Sequence, residues 1–394
     1  MGNNVGEGRL PRVLLLYRVM LPSIILCGHS QLCYLQEKEK IEYRSRQEQH
    51  LNEADLVWAD VVFLGRLDSW YEKQICRALQ ANGKPLVYII DDDLLDVPAE
   101  MSSAPHYRLP EIQSNIAQII DMCQVILTPS PRLMEKYAVG GRQGILLEEP
   151  AVHCGEYRPH NTSKPVKVGF AGSVDRTRDV ENTLGEALMR LRDEYGEAIC
   201  FSFFGAIPDF ARSLGAQVVP FCMDYSDYLD QLEECDWDIG LGPMPATDFH
   251  RYKHYIKYIE YSSVSTASVL SDAEPYSRLR GMDAPAVFCK NDPEAWYGAI
   301  KSLVDDRDRL EALRRDARDF AVERFRVGET AKPLAKYLER TFATGATGEQ
   351  PASVPYRIRS KKCLNLIHQA VMFVKKYKWN TPKMLARKIA LRSF

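Results

Sequence analysis

The segment DIGLGPMPATDFHRYKHYIKYIEYSSVSTASVLSD, residues 238–272, carries the pattern from which the fold can be predicted. It begins with a short apolar run at 238–243 and continues through a polar loop. A stretch with helical spacing follows, and then a second apolar run at 267–272. Short apolar runs that alternate with helices are typical of parallel β-strands covered by helices on both faces. The segment therefore predicts a strand–loop–helix–strand unit of an α/β domain.

The same alternation extends in both directions along the chain. Helices are predicted between and after the strands, and the polar stretch 153–165 divides the strands into two series. We therefore expect two doubly wound, Rossmann-like α/β domains that face a central cleft. The predicted strands lie at 12–18, 60–66, 85–91, 124–130, 166–173, 198–205, 216–221, 237–243 and 267–272, and the clearest helices at 69–83, 183–196 and 306–325.

The expected domain boundaries follow from this pattern. The first domain is predicted at 1–160 and the second at 161–342, with its last helix crossing back to the first domain. Residues 343–354, rich in Gly, Ala and Thr, are predicted to form a linker before a basic tail at 355–394.

Composition excludes several classes of protein. Of 394 residues 45% are hydrophobic and 26% are charged, which is ordinary for a globular protein and excludes a disordered, collagen-like, coiled-coil or polytopic membrane protein. None of the ten cysteines forms a C-x-x-C motif or has a histidine at zinc-ligand spacing. The sequence therefore predicts reduced thiols in a cytoplasmic protein without a metal site.

Three charged residues of the segment 238–272 are candidates for ligand binding. Lys253, Lys257 and Glu260 are spaced by four and three, which predicts that they share one helical face. A carboxylate can accept two hydrogen bonds from a vicinal diol such as ribose, and lysines near a helix start favour a phosphate. The alternative is a solvated, salt-bridged helix face.

A second candidate is the strand–loop–helix unit VGFAGSVDRTRDVEN, residues 168–182. Gly172 and Ser173 end the strand, where backbone N–H groups can approach a phosphate, and Arg176 and Arg178 can supply positive charge. Phe204 and Gly205 end the next strand, and Pro220 and Phe221 follow the strand after it. An aromatic side chain at these places either borders a nucleotide base or belongs to the core.

On these residues the sequence resembles the retaining glycosyltransferases of the GT-B fold, in particular glycosyltransferase family 4. The resemblance covers roughly residues 10–342 and is most specific in the second half. Its pattern is a strand D-I-G-L-x-P, an aromatic before a lysine, K-x-x-E-Y on a helix and a strand that ends in Ser-Asp. The matching positions are Asp238, Gly240, Pro243, Phe249, Lys253, Lys257, Glu260, Tyr261, Ser271 and Asp272.

The resemblance implies a donor site in the second domain and an acceptor side in the first. It implies that Glu260 binds the ribose of a nucleotide sugar, and that basic residues stabilise the leaving diphosphate. The glutamate that is usual eight residues before Glu260 is Tyr252 here. The implied catalytic residues are Arg178, Lys253 and Asp92, and the implied donor-binding residues are Gly172, Ser173, Phe204, Gly205, Phe249, Lys257 and Glu260.

The run Asp91-Asp92-Asp93 directly follows a predicted strand of the first half. Asp-x-Asp is the metal motif of the other large glycosyltransferase fold, but here the run lies in the domain opposite the nucleotide signals. We expect it to line the cleft on the acceptor side, with one carboxylate orienting the attacking hydroxyl and no metal cofactor. The alternative is a helix N-cap followed by first-turn carboxylates.

The tail, 355–394, carries eleven Lys and Arg and no Asp or Glu, whereas residues 1–354 carry 40 basic and 53 acidic side chains. Its apolar residues recur at helical spacing, and Trp379 follows them. A basic amphipathic helix suits an anionic membrane surface. The alternatives are a helix packed on the acidic body and nucleic-acid binding, which that body disfavours.

The function that the resemblance implies is transfer of a sugar from a nucleotide sugar to the hydroxyl of a glycan or lipid-linked acceptor, with retention. Polysaccharide or glycoconjugate synthesis at the inner face of a membrane is the expected setting. The alternatives are a GT-B-fold sugar-nucleotide epimerase or hydrolase, and a non-catalytic protein that binds a nucleotide sugar.

Overall fold

The chain folds into two domains, each built on a parallel six-stranded sheet. A computed structural model describes residues 9–159 and 164–342. The linker and the basic tail lie outside these residues. The two sheets and their flanking helices confirm the predicted fold class.

The first sheet has the order β2-β1-β3-β4-β5-β6, and all its neighbours are parallel. The direction of winding reverses between β1 and β3. Its strands are β1 Arg12–Tyr17, β2 Glu42–Gln47, β3 Val61–Gly65, β4 Leu86–Ile89, β5 Val125–Thr128 and β6 Gln143–Leu146.

The second sheet has the order β12-β11-β10-β7-β8-β9 and is also entirely parallel. Here the winding reverses between β7 and β10. Its strands are β7 Val166–Gly172, β8 Ile199–Gly205, β9 Gln217–Val219, β10 Ile239–Gly242, β11 Ala267–Ser271 and β12 Val287–Cys289.

Helices connect the strands in both domains. Those of the first domain are α1 Pro22–Ile24, α2 Ser30–Glu37, α3 Glu53–Trp58, α4 Trp70–Ala81, α5 Ala104–Tyr107, α6 Pro110–Met122 and α7 Pro131–Tyr137. Those that follow are α8 Thr177–Tyr195, α9 Tyr225–Cys235, α10 Asp248–Arg251, α11 Ile256–Ser263, α12 Ser277–Arg280, α13 Pro293–Asp305, α14 Arg307–Arg324, α15 Val327–Thr330 and α16 Lys332–Phe342.

All nine predicted strands are present, and β2, β6 and β12 were not predicted. The sequence of β2 is EYRSRQ, and none of its residues is fully buried. It is an edge strand, so it lacks the apolar run by which the buried strands were recognised. Helix α8 begins at Thr177 rather than at 183.

The first sheet is buried on both faces, as its apolar strands require. In β1, Leu14 and Leu16 pack against the helices on one face, and Val13 and Leu15 pack into the cluster on the other. Alternate residues of a strand point to opposite faces, so a strand covered on both sides is apolar throughout.

Helix α16 completes the core of the first domain, although it follows the second domain in the chain. Its Leu334, Tyr337 and Leu338 lie in the same cluster as Val13 and Leu15 of β1. All three side chains are almost fully buried. The chain therefore crosses between the domains twice.

Gly169 provides a test of packing in the second domain. A Cβ atom at this position of β7 would lie 2.1 Å from the ring of Trp237, which is fully buried. Overpacking a core typically costs 1–3 kcal/mol, so we expect Gly169→Ala to lower the free energy of unfolding by about 2 kcal/mol or more. Gly298→Ala is the control, since its Cβ meets open space inside α13 and should stabilise by about 0.5–1 kcal/mol. Urea denaturation measures both, and equal effects would contradict the packing argument.

The domains face each other across a cleft with direct contacts at its edges. Asp175 of the second domain accepts hydrogen bonds from the backbone N–H of Ser102, at 2.7 Å, and from its hydroxyl, at 2.9 Å. Arg132 of the first domain pairs with Glu274 of the second at 3.2 Å. These contacts bring the carboxyl ends of both sheets toward one another.

Candidate functional site

A cavity of about 500 Å³ lies in the cleft. Loops after β1, β3 and β4 line it from the first domain, and loops after β7, β9 and β10 line it together with α11 from the second. In both sheets these loops include those beside the point where the winding reverses. Open α/β sheets bind ligands at such points.

Glu260 is the best-anchored carboxylate of the cavity. It is buried on α11, and the hydroxyl groups of Tyr225 and Tyr228 donate to its two oxygens at 3.0 and 2.9 Å. The Nζ atom of Lys257 lies 2.6 Å from Oε2. Burial and the negative charge of Glu260 raise the pKa of both tyrosines, so the phenols remain donors. The carboxylate is fixed in direction and has about one of four acceptor sites left for a ligand.

A glycine turn and a helix start form another side of the cavity. Gly172 ends β7, and Ser173 leads through a 3₁₀ turn into the 19-residue helix α8. The positive end of such a helix favours an anion. The Arg176 side chain also lines the cavity, where its Nη2 donates to the carbonyl oxygen of Pro243 at 2.5 Å.

Gly205 permits the loops after β7 and β8 to touch. Its φ is +81°, and a Cβ would lie 2.3 Å from the carbonyl oxygen of Gly172. A side chain there would push the Gly172 turn out of position. The preceding residue, Phe204, lines the cavity, and its ring centre lies 5.1 Å from that of Tyr228.

The Asp91-Asp92-Asp93 run follows β4, and its third residue lies in a different environment from the first two. Asp91 and Asp92 line the cavity. Asp93 is buried below it and is held by Lys136, at 2.5 Å, and by the hydroxyl of Tyr137. Asp93 is therefore structural, and only its two neighbours are available to a ligand.

Asp91 is tied to the first domain and keeps one oxygen without a partner. Its Oδ2 accepts from Nη1 of Arg66 at 3.1 Å. Its Oδ1 is buried and accepts no hydrogen bond from any residue that the structure describes. An acceptor of this kind is costly to leave unpaired, so the site favours a ligand that brings a hydroxyl.

Lys253 spans the cleft between the domains. Its Nζ atom lies 2.8 Å from Oδ1 of Asp92 and 4.6 Å from the ring centre of Phe249. The prediction that Lys253 shares a helical face with Lys257 and Glu260 is wrong, because a turn separates α10 from α11 and Lys253 lies in that turn. The amine nevertheless lines the same cavity.

Tyr252, which replaces the glutamate of the resemblance, points toward the first domain. It packs against that domain's core, and the Nζ atom of Lys136 lies 5.3 Å from its ring centre. It is not among the residues that line the cavity. At this position the chain therefore supplies a contact between domains instead of a carboxylate for a ligand.

A buried histidine joins the second domain to the segment after β6. Nδ1 of His254 lies 2.9 Å from Glu149 and Nε2 lies 3.0 Å from Glu148. Carboxylates only accept, so both ring nitrogens carry protons and the imidazole is charged. Burial opposes that charge, but the two glutamates outweigh it and raise the pKa of His254. His254 and Glu149 both line the cavity.

The ionisation of Asp91 gives a test of the site's electrostatics. Burial raises its pKa to about 6 against the opposing charge of Arg66. The folded state therefore binds a proton that the unfolded chain has lost, and this group's contribution to stability falls as pH rises from about 4 to 6. We therefore expect the free energy of unfolding of the wild type to fall relative to that of Asp91→Asn as pH rises. Between pH 4.5 and pH 7 the difference should shift by about 2 kcal/mol in favour of the variant. Urea unfolding at both values measures this, and parallel curves would contradict it.

The structure brings together seven of the ten residues predicted for the site. Arg178 is exposed on α8 and does not line the cavity, whereas Arg176, one position before that helix, does. Gly205 and Phe249 do not line the cavity but contact residues that do: Gly205 contacts Gly172, and Phe249 contacts Lys253. The seven are Asp92, Gly172, Ser173, Phe204, Lys253, Lys257 and Glu260.

Other residues that line the cavity were not predicted from the sequence. Glu149 follows β6, a strand that was not predicted, so nothing marked it as a strand-end residue. Tyr225 and Tyr228 are spaced by three on α9, which could have been read as a common face toward the cleft. Val19 and Met20, in the loop after β1, also line the cavity, and as apolar side chains they gave no sign of a site.

Two general properties concern the described residues alone. Within 9–159 and 164–342, no three His, Cys, Asp or Glu side chains are placed to hold a metal ion. No helix in those ranges has both the length and the hydropathy needed to cross a membrane.

No family model and no curated protein sequence matches the chain. Similar solved structures include sucrose-phosphate synthase from Thermosynechococcus elongatus, with 11% identity, a TM-score of 0.57 and coverage of 84% of this chain and 100% of that one. Anabaena HepE in complex with UDP-glucose has 13% identity, a TM-score of 0.55 and coverage of 84% and 99%. A Listeria monocytogenes protein named as a UDP-N-acetylglucosamine 2-epimerase has 11% identity, a TM-score of 0.54 and coverage of 85% and 98%. The architecture is the two-domain GT-B fold.

Proposed function

We propose that this protein is a glycosyltransferase that moves a sugar from a nucleotide-sugar donor to an acceptor hydroxyl, with retention at the anomeric carbon. The observation that carries the proposal is the buried, tyrosine-held carboxylate of Glu260, in one cavity with the Gly172 turn. A carboxylate suits the ribose diol, and a glycine turn before a helix suits a diphosphate. Binding of UDP-glucose by a protein of the same fold, HepE, supports this.

The donor is proposed to lie along the second domain. The ribose would meet Glu260, the base would lie near Phe204, and the diphosphate would approach Ser173 at the start of α8. Lys257, whose Nζ atom lies 2.6 Å from Oε2 of Glu260 in the same cavity, would contact the donor beside the ribose. In this arrangement the sugar would point toward the first domain.

The acceptor is proposed to approach from the first domain. Asp92 would orient its hydroxyl for attack on the anomeric carbon, and the bond from that carbon to the diphosphate would break as the new one forms. The departing phosphate oxygen would take the hydroxyl proton, while Arg176 and Lys253 stabilise the charge that develops on the leaving group. In the structure Lys253 pairs with Asp92. A diphosphate that draws Lys253 away would release Asp92 for the acceptor, so donor binding would prepare the acceptor side. No protein nucleophile is proposed.

Activity is proposed to need no divalent metal. Asp91 and Asp92 line the cavity, and each has a positively charged side chain beside it. Arg66 pairs with Asp91, and Lys253 pairs with Asp92. These pairs balance their charge without an ion. Turnover that persists after treatment with EDTA would support the proposal, and its loss with recovery on added Mg²⁺ would contradict it.

A second candidate is a sugar-nucleotide epimerase or hydrolase, since one protein of the same fold bears an epimerase name. Such an enzyme would use the donor site and need no acceptor. Product analysis with and without acceptors separates the two: a transferase consumes the nucleotide sugar at a rate that depends on the acceptor. A non-catalytic protein would bind the donor without turnover.

The deciding experiment is a screen of nucleotide sugars by thermal unfolding, followed by product analysis with the ligands that bind. A ligand at 100 times its Kd stabilises a protein by about 2.7 kcal/mol, which such a screen detects. The expected result is stabilisation by nucleotides that share one base, and none by the corresponding sugars without a nucleotide. No stabilisation by any nucleotide would contradict the proposal.

We further propose that the basic tail attaches the protein to the inner surface of a membrane, in keeping with synthesis of a polysaccharide or glycoconjugate. Its eleven basic residues each offer about 1 kcal/mol near an anionic surface, before screening. We expect full-length protein to pellet with anionic vesicles at low salt, and a chain ending at Ala352 to stay in solution while it still binds donor. Unfolding of the shorter chain would indicate that the tail packs on the body instead.

A further inference from the structure

The mouth of the cavity carries a concentration of exposed apolar side chains. Nine large hydrophobic side chains are exposed among the described residues, and three of these, Val19, Phe221 and Met223, line this one cavity. Their exposed fractions are 50%, 51% and 75%. Val174, 66% exposed, follows the lining residue Ser173 directly along the chain.

These side chains come from both domains. Val19 belongs to the loop between β1 and α1. Residues 19–22, Val-Met-Leu-Pro, end that loop and begin α1, and all four line the cavity. Phe221 and Met223 belong to the loop between β9 and α9 of the second domain. Single exposed apolar residues are normal, but a group around one opening marks a binding surface.

The chemistry of the first-domain wall limits what the surface can bind. A ligand made only of sugar presents hydroxyl groups, which need polar partners. Residues 19–22 offer only apolar side chains, and the hydroxyl of the next lining residue, Ser23, already accepts from Arg66 at 3.3 Å. Deeper in the cavity on the same side lie the carboxylates of Asp91 and Asp92, each paired with a cation. The first-domain side of the cavity is therefore apolar at the mouth and polar at the floor. Because the polar groups at the floor include two carboxylates, an anionic head group is disfavoured there.

We propose that the acceptor is an amphipathic molecule whose neutral, hydroxyl-bearing head reaches Asp91 and Asp92. Its apolar chain lies along residues 19–21 and leaves the cavity past the exposed Val19. This inference rests on the proposed function and narrows its acceptor to a class, a hydroxyl head carrying an aliphatic chain. The ligand class follows from the lining, because residues 19–21 and the two carboxylates line one cavity and Val19 at its mouth is half exposed.

The test uses the full-length protein with UDP added and a series of n-alkyl β-glucosides, from methyl to octyl, below their micelle-forming concentrations. These probes share one head and differ only in chain length. Since each buried methylene favours binding by up to about fourfold, we expect octyl glucoside to bind the wild type at least tenfold more tightly than methyl glucoside. Isothermal titration calorimetry gives the two dissociation constants.

The variant Val19→Ser/Met20→Ser should reduce that ratio at least fivefold, and Met20→Ser alone provides a second measurement if the double variant does not fold. Val139→Ser is the matched control, because Val139 is 48% exposed but does not line the cavity. It should leave the ratio unchanged. A ratio near one, whether both glucosides bind equally or neither binds, overturns the inference, and so does a ratio that survives the double substitution.

Two further measurements distinguish an error in the acceptor class from an error in the proposed donor site, and acceptor binding from membrane binding. UDP binding to the wild type is measured first: its absence contradicts the proposed function itself, whereas intact UDP binding without chain-length dependence contradicts only the acceptor class. Pelleting with neutral phosphatidylcholine vesicles tests a bilayer as the occupant, since the basic tail has little attraction for them. Pelleting by the wild type that is lost in Val19→Ser/Met20→Ser would assign the surface to a membrane and overturn the inference.

Discussion

Replacing Glu260 by alanine is expected to weaken binding of the nucleotide donor. The ribose would lose the one hydrogen bond to this carboxylate that Tyr225, Tyr228 and Lys257 leave open, worth about 1.5–3 kcal/mol, so affinity should fall by about 10- to 150-fold. Isothermal titration calorimetry with the nucleotide found in the thermal screen measures the effect. Unchanged affinity would remove Glu260 from the donor site.

The same substitution also disturbs the protein, because Tyr225 and Tyr228 donate to this carboxylate. Glu260→Gln keeps the shape and one acceptor oxygen, and it should bind donor with an affinity between those of the wild type and Glu260→Ala. Glu294→Ala is a matched control, since that carboxylate is exposed at the first turn of α13. Its affinity for donor should equal that of the wild type.

Replacing Lys253 by methionine is expected to lower kcat by about 100-fold or more. The substitution keeps most of the side-chain length but removes the charge that we assign to the leaving diphosphate. Loss of one group that stabilises developing charge costs 10²–10³ in rate in comparable cases. The dissociation constant of the donor should change much less, because the interaction strengthens in the transition state.

Two variants control this result. Lys253→Arg keeps the charge and should recover part of the rate. Arg178→Met removes a positive charge from the exposed face of α8, outside the cavity, and should leave kcat within about twofold. A strong effect of Arg178→Met combined with a weak effect of Lys253→Met would reverse the two assignments.

The fold could be predicted from the sequence because burial on both faces leaves a strong pattern. Strands such as β3 and β4 are apolar at every position, and all their residues are buried. The strands that escaped prediction lie at sheet edges or are only three or four residues long, and β2 alternates charged and polar side chains. An edge strand is stabilised chiefly by backbone pairing to one neighbour, which leaves little trace in the sequence.

The site was predictable where function demands an unusual residue at a strand end, as at Gly172 and Asp92. It was less predictable where a position depends on the path of a loop. Arg176 and Arg178 are two residues apart, and only the 3₁₀ turn at Val174–Arg176 decides which of them reaches the cavity. The role of Tyr252 as a contact between domains depends on the closeness of the two cores, which no local pattern encodes.

The return of α16 to the first domain has a consequence for synthesis on the ribosome. The cluster that contains Val13 and Leu15 of β1 also needs Leu334 and Leu338, which emerge only after the whole second domain. The amino-terminal half is thus exposed to chaperones and proteases with an unfinished core during most of translation. The second domain, by contrast, has all of its strands as soon as β12 is made, so the order of folding need not follow the order of synthesis.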